Sequence, residues 1–486
     1  MKYVFEGLKP ARLWQYFYEL NQIPRESKHE ADAAQYIIKV AKELQLPYKQ
    51  DEVGNVLVTK PATPGYEDRP KVCLQGHLDM VCEKNSGTEH DFRKDPIRMK
   101  IDGDYIRAEG TTLGADNGIG VAAALTVMAS TDMVHPPMEF LFTIDEETGL
   151  TGANALKPGF VTADILINGD SEEDGALYVG CAGGKDTEIS LPVSWVGAPE
   201  NFIPLLVKIT GLKGGHSGLD IALGRGNANK LLNRLLWNAD TQYEFHLASF
   251  SGGSKHNAIP REAEAVLLVK SDNVEGFKSF VDKYGQIFNT EYRGIEKEIK
   301  IVVENTANPG KVFSRDLQTR LLNLIYALPH GVVAMSFDIP DLVETSTSLA
   351  IVRTEENSVS VLTSQRSSVE TAKDDIADQV KATGLLAGGT VHQGGGYPGW
   401  NPNMDSKILQ TMKTVSEDLF GKTPEVKAIH AGLECGIIGK TVPGIDMISF
   451  GPTIKNPHSP DEVVEIKTVE NFWNLLQETL KRIATQ

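Results

Sequence analysis

Two histidines and a group of acids stand out along this chain of 486 residues because of the segments they occupy. The segments are Gln75-Gly76-His77-Leu78-Asp79, Gly114-Ala115-Asp116-Asn117-Gly118, Asp145-Glu146-Glu147-Thr148-Gly149, Asn168-Gly169-Asp170-Ser171 and Asn456-Pro457-His458-Ser459-Pro460-Asp461. Imidazole nitrogens and carboxylate oxygens together make a donor set suited to zinc or a similar divalent ion. A bridging carboxylate can hold two such ions about 3.5–4 Å apart, which is how two-metal hydrolases clamp attacking and departing oxygens. Glu146 and Glu147 are adjacent, and successive loop residues can point differently, so one can ligate while the other serves as general base. Each segment alone has an ordinary reading. His-x-Asp is a common structural pair, Glu-Glu a solvated face, Asn117-Gly118 a turn, Asp170 part of an acidic loop, and His458 a rigid turn between prolines. Five such segments, bordering apolar runs in this order, point to one site.

The elements that must position these residues are legible as periodicities. In the first third, short apolar runs at 56–58, 72–74, 138–144 and 163–167 read as strands, with a small-residue helix over 117–129 that is apolar on most sides. Ser27 and Glu30 match a capping box ahead of a helix that Pro47 ends. Strands separated by helices favour an α/β layer with a largely parallel sheet, in which functional groups gather beyond the carboxyl ends of the strands. From about residue 186 the pattern becomes polar-apolar alternation (DTEISLPV, IPLLVKIT, EAEAVLLVK, NSVSVLTSQRS), suited to a sheet with one wet face. Amphipathic helices lie between these runs, one of them behind a second capping-box pattern at Ser367 and Glu370, so this part reads as α+β. A glycine-rich stretch over 384–402 then punctuates the chain. Beyond it are expected a helix over 406–420, a strand over 445–450 and a final helix over 469–483.

Composition narrows the classes of function. The formal net charge is −17, with 41% hydrophobic and 23% charged residues. Such a chain is an ordinary globular protein, and its acidity disfavours nucleic acid and anionic membrane surfaces as partners. Cys73, Cys82, Cys181 and Cys435 are scattered, which argues against a disulfide framework or a thiolate zinc site. Glu6 and Pro10 interrupt the start where a signal peptide needs an apolar run, and no stretch approaches the roughly 20 apolar residues of a membrane span, so a cytosolic setting is expected. Competing motifs fail. Gly118-Ile119-Gly120 follows a turn rather than a strand, as a dinucleotide fingerprint would require. Gly183-Gly184-Lys185 lacks the flanking residues of a phosphate loop, and Gly215-His216-Ser217-Gly218-Leu219 lacks the last glycine of a nucleophile elbow.

The ordered set of His77-x-Asp79, the Asp116 turn, Glu146-Glu147, Asp170 and His458 resembles the co-catalytic zinc peptidases that include carboxypeptidase G, aminoacylase and the carnosinase-type dipeptidases. Longer strings (LQGHLDMV, TTLGADNGIG, NGDSEE, GLKGGHSG, HNAIPRE, YPGW, HAGLECG and GPTIKNPHSPDE) extend the likeness over essentially the whole chain and point to the dipeptidases among them. The resemblance implies a zinc-peptidase-like catalytic domain, with a central mixed, largely parallel sheet flanked by helices, in two parts, 1–185 and 395–486. An inserted α+β lid domain would span 186–394. It implies two Zn2+ ions per chain, with Co2+ or Mn2+ as possible substitutes: His77 and Asp170 on one, Glu147 and His458 on the other, Asp116 bridging. Asp79 would orient His77, Glu146 would be the general base, His216 would stabilise the oxyanion, and Asn257 and Arg366 would hold the substrate carboxylate. The implied activity is hydrolysis of unblocked dipeptides, including Xaa-His and β-Ala-His, by a homodimer. One rival is an aminoacylase or carboxypeptidase acting on N-blocked substrates, against which the long lid and the AGLECG segment argue. Another is a catalytically dead metal-binding or scaffold protein, against which stands the presence of Glu146 and all five ligand positions.

Overall fold

A computed structural model describes residues 3–486. The chain forms two compact units, one of Met1–Cys181, Trp400–Ala428 and Leu433–Gln486, the other of Ala182–Gly399 with the short segment Ile429–Gly432.

The first unit is built on an eight-stranded sheet. Its order is Tyr48–Gln50, Val56–Lys60, Met138–Thr143, Val72–His77, Ile165–Asn168, Asp446–Ser449, Ala176–Cys181, Glu425–Ile429. The four central strands run parallel and the recorded pairings toward the edges are antiparallel. Val72–His77 and Met138–Thr143 are buried along their whole length, as expected where a parallel strand is covered on both faces. Helix Ala115–Ala129 is equally buried and packs on Val72–His77 and on helix Ala11–Leu20. Its small residues permit the close approach: a Cβ on Gly120 would sit 2.8 Å from the carbonyl oxygen of Gly169. A separate four-stranded sheet, Ile454–Lys455, Val463–Glu465, Tyr105–Ala108 and Met99–Asp102, carries the 456–462 segment as a hairpin loop. Helix Ile466–Thr485 closes the chain.

The second unit is an antiparallel sheet of nine strands with helices Ala228–Ala239, Val274–Glu291, Arg315–Ala327 and Glu370–Leu386 packed against it. Alternation along Phe202–Thr210 and Phe245–Gly252 puts Leu205, Val207, Ile209, Leu247 and Phe250 into one core with Leu232, Leu235, Phe277 and Leu321 of the helices.

Three local expectations give way to tertiary contacts. Neither capping box forms. Helix Ala31–Glu43 begins behind Glu30, while the Ser27 hydroxyl donates to Asp79 Oδ2 at 2.8 Å and the Glu30 carboxylate accepts from Lys28 N and Asp145 N. Helix Glu370–Leu386 begins behind Val369, and the Glu370 carboxylate instead accepts from Gly399 N at 2.7 Å. The glycine-rich stretch is not merely punctuation: Thr390–Tyr397 is a strand paired with Gly183–Pro192.

Candidate metal centre and lid residues

Strand register explains why the segments of the first unit meet. His77 is the last residue of its strand and lies opposite Thr143, so the 145–147 turn begins beside it. Gln75 lies opposite Asn168, which places Asp170 just beyond the same end of the sheet. Asp116 enters from the start of helix Ala115–Ala129, and His458 from the tip of the 456–462 loop, where it holds a left-handed backbone at φ 59°.

His77 Nε2 lies 3.1 Å from Asp116 Oδ1 and 3.3 Å from Asp170 Oδ1. His458 Nε2 lies 3.0 Å from Asp116 Oδ2 and 3.2 Å from Glu147 Oε2. Asp116 thus offers one oxygen to each imidazole. Three groups of donor atoms, His77/Asp116/Asp170, Asp116/Glu147/His458 and His77/Glu146/Glu147, each fall within 4.8 Å of one another. Asp170 also accepts from Asn117 Nδ2. Asp79 Oδ1 approaches His77 Nδ1 at 3.3 Å and accepts from Glu146 N at 3.0 Å, while its Oδ2 accepts from Glu147 N at 3.2 Å. One buried carboxylate therefore holds both the imidazole and the Glu146-Glu147 turn. The turn is fixed from its other end by Asp145, whose carboxylate accepts from the hydroxyls of Thr148 and Thr151.

Such crowding of acids is electrostatically unbalanced without cations. Burial alone would lower the His77 imidazolium, yet Asp170, Asp116 and Asp79 outweigh it and hold His77 well above its ordinary range. Hydrogen bonds to the Asp116 and Glu147 carboxylates raise His458 to about 11. Burial, with Asp116 adding to it, pushes Asp170 up to about 6. Burial opposes ionisation of Asp79, but His77, Glu146 N and Ser27 bring it down to about 2. The Glu146 carboxyl is raised well above its usual range, first by burial and then by Asp170, Glu147 and Glu434, against the opposing pull of His77. Glu147 Oε1 is buried without a hydrogen-bond partner among the described residues. Two imidazoles, three carboxylates facing them and an orphaned carboxylate oxygen fit a pair of divalent cations.

The other three expected site residues lie in the second unit. His216 follows Gly214 and Gly215, both at positive φ; a Cβ on Gly214 would meet Arg261 Cγ at 2.2 Å, so only glycine fits there. The His216 ring accepts at Nδ1 from Gly218 N (3.1 Å) and Leu219 N (3.0 Å), which assigns its proton to Nε2. Burial first, then the nearby Arg366, lower this imidazole to about 4, so at neutral pH it is an uncharged donor. Arg366 is buried and donates from Nη1 to Tyr397 Oη at 2.9 Å. Arg366 Cδ and His216 Cε1 both flank Gly218. Asn257 accepts at its backbone carbonyl from Ser217 N, which fixes the 216–218 turn to it.

Several residues of this neighbourhood escaped the sequence reading. Tyr397 and His430 sit inside the strings YPGW and HAGLECG, the latter histidine accepting from or donating to Ser346 Oγ at 2.7 Å. Glu434, in the same string, is fully buried and accepts from Gln75 Nε2 (2.6 Å) and Thr143 Oγ1 (2.7 Å), beneath the strand ends that carry His77 and Glu146. Glu462 ends the string GPTIKNPHSPDE. Arg25 had no local signal at all.

A sheet parallel at its centre with an inserted antiparallel unit, and acids and imidazoles converging at the parallel strand ends, fit a hydrolase of the metallopeptidase type. The chain belongs to peptidase family M20/M25/M40, whose model matches residues 73–482. It is 45% identical over 479 residues, 98% of each chain, to the cytosol non-specific dipeptidase of Escherichia coli (strain K12). The crystal structure of aminoacylhistidine dipeptidase from Vibrio alginolyticus matches with a TM-score of 0.89 at 44% identity, covering 98% of both chains. The aminopeptidase PepT from Bacillus cereus shares the fold at a TM-score of 0.57 and 17% identity, covering 98% of this chain and 100% of its own.

Proposed function

We propose that this protein is a di-zinc dipeptidase that cleaves the peptide bond of unblocked dipeptides, Xaa-His and β-Ala-His among them. The observation that carries the reading is Asp116, whose two oxygens face His77 and His458, the geometry a bridging ligand requires. His77 and Asp170 would hold one ion and Glu147 and His458 the other, with Co2+ or Mn2+ as workable substitutes. When bound, the ion pair makes water acidic near neutral pH and polarises the scissile carbonyl. The chain's own residues do the rest. Asp79 keeps the His77 ring in orientation. Glu146 takes a proton from the attacking water as its oxygen bonds to the carbonyl carbon, and gives that proton to the amine nitrogen as the C–N bond breaks. His216 Nε2–H donates to the oxyanion. Arg366 offers a guanidinium, and Asn257 a donor, to the free carboxylate of the dipeptide.

The names borne by the two relatives at 44–45% identity support the substrate class. The acidic charge, the E. coli relative's name and the finding that, among the described residues, no helix is long and apolar enough to cross a membrane support a cytosolic enzyme. A homodimer is the assembly we infer, supported by Val332, Val333, Met335 and Phe337 exposed along and beyond the strand Gly331–Met335, the last 98% exposed; light scattering that returns a monomer mass would remove it. The test of function is metal-stripped protein assayed on carnosine, a panel of free dipeptides and their N-acetylated forms, before and after adding zinc. Zinc-dependent cleavage of free dipeptides is expected; preference for the N-acetylated forms would make this an aminoacylase or carboxypeptidase instead.

A further inference from the structure

We propose that Arg25 and Glu462 form a two-sided charge clamp on the turn carrying Asp116, and that this clamp sets the spacing between the cation sites. The inference rests on the metal-site reading above and concerns residues that take no part in its chemistry.

The two charges act on opposite poles of the Gly114–Ala115 peptide unit, Arg25 on its carbonyl and Glu462 on its N–H. The Glu462 carboxylate accepts from four successive backbone N–H groups: Leu113 (2.7 Å), Gly114 (2.9 Å), Ala115 (2.8 Å) and Asp116 (3.4 Å). Successive N–H groups turned toward one point make an anion-binding nest, and here a side chain of the same protein fills it. Arg25 works from the carbonyl side. Its Nη2 donates to Gly114 O at 2.6 Å, and its Nη1 to Leu78 O and Asp79 O, each at 3.0 Å. Both residues are almost wholly buried, at 2% exposure each, and the burial is offset by several charge-assisted hydrogen bonds, from Nη1 and Nη2 of Arg25 (its Nε has no partner among the described residues) and to both oxygens of Glu462.

The consequence is a mechanical link between three ligand-bearing segments. Glu462 lies four residues after His458 and ties that loop to the Asp116 turn. Arg25 ties the same turn to the segment just after His77, the one that bears Asp79. The turn is shaped for this grip, because Gly114 has φ 71° and a Cβ there would stand 2.3 Å from Arg25 Nη2. A bridging carboxylate must keep both oxygens aimed at two sites, so small rotations of its backbone would spoil both. Arg25 and Glu462 are thus positioning residues that act through Asp116, His458 and Asp79.

The experiment is competition of the full-length apo-protein with a chelator for Co2+, together with the visible absorption spectrum of the loaded form. Loss of a partner that orients ligands costs about 10–100-fold in metal affinity. Glu462→Gln is expected to weaken at least one of two Co2+ ions by that factor and change the spectrum, with Glu462→Asp recovering part of the loss. Arg25→Lys, with one nitrogen in place of the guanidinium fork, should do likewise. Glu139→Gln is the control: Glu139 is as buried, but bonds Thr162 and Lys71 at the opposite end of its strand, so it should lower the melting temperature without changing Co2+ affinity. Should Glu462→Gln fail to fold, Glu462→Asp and Arg25→Lys carry the test. Two Co2+ ions bound with wild-type affinity and spectrum in the folded variants would overturn the clamp alone. A wild type that takes up no Co2+ would overturn the site reading and the clamp with it.

Discussion

Glu146 and Asp79, the first bonded through its backbone N–H to the carboxylate of the second, illustrate how two carboxyls are driven to opposite behaviour by their surroundings. Asp79 receives two backbone N–H groups and a hydroxyl, and faces an imidazole, so it stays ionised. Glu146 is raised by burial and by like charges, which favours holding the proton that its proposed role would have it take. Glu146→Ala is expected to lower kcat by about 10²–10⁴-fold while the protein still takes up two ions per chain; metal analysis beside steady-state kinetics checks both halves. His216 is held as a neutral Nε2–H donor by Gly218 N and Leu219 N. His216→Ala should cost about 10²–10³-fold in kcat and leave chelator competition unchanged; an undiminished turnover number removes His216 from the oxyanion.

Among the elements, helix Ala115–Ala129 tolerates the least change, because its glycines stand where other chain segments pass. A Cβ on Gly120 would lie 2.1 Å from Asn117 Oδ1 and 2.8 Å from Gly169 O, each next to a proposed ligand, Asp116 or Asp170. Gly120→Ala raises helix propensity yet is expected to destabilise by about 1–3 kcal/mol through overpacking, measured by urea unfolding of the first unit. A gain in stability would mean that the 169–170 loop can yield. The two unformed capping boxes belong to this scale as well. Ser27 and Glu30 have the right types at the right spacing, but Asp79 and the N–H of Asp145 compete for them across the fold and win. A four-residue motif records what a segment can do alone; a buried carboxylate nearby changes which hydrogen bond is worth making.

At the scale of the whole molecule, the second unit carries three histidines, His430 buried and His216 and His330 half-buried, whose surroundings disfavour the charged form. Burial is the leading cause in each, lowering His216 and His330 to about 4 and His430 to about 3. The unfolded chain titrates its histidines near 6.5. As pH falls through that value the unfolded state takes up protons that the folded state refuses, so stability is lost between about pH 6.5 and 3 and is fully present above that window. Calorimetry of the apo-protein should show the transition of this unit falling in temperature over that window, and an acid limb that stays flat down to pH 4 would contradict the assignment. Because the chain has two units, one melting temperature need not describe both.

The sequence by itself determined the chemistry on offer: which residues can donate to a cation, that Glu146 and Glu147 can divide two roles, and that a largely parallel layer is interrupted by an alternating one with a wet face. These follow from residue types and from periods of two and 3.6, which are local quantities. Only the tertiary structure decided that Asp116 faces His77 and His458 at once, that Ile429–Gly432 joins the second unit while Glu434 buries its carboxylate in the first, and that Arg25 and Glu462 grip one turn from opposite sides. Arg25 and Glu462 are separated by most of the chain, and a buried charge is defined by its partners rather than its neighbours in sequence. Strand register and loop closure bring such partners together, and neither leaves a trace in any short stretch of residues.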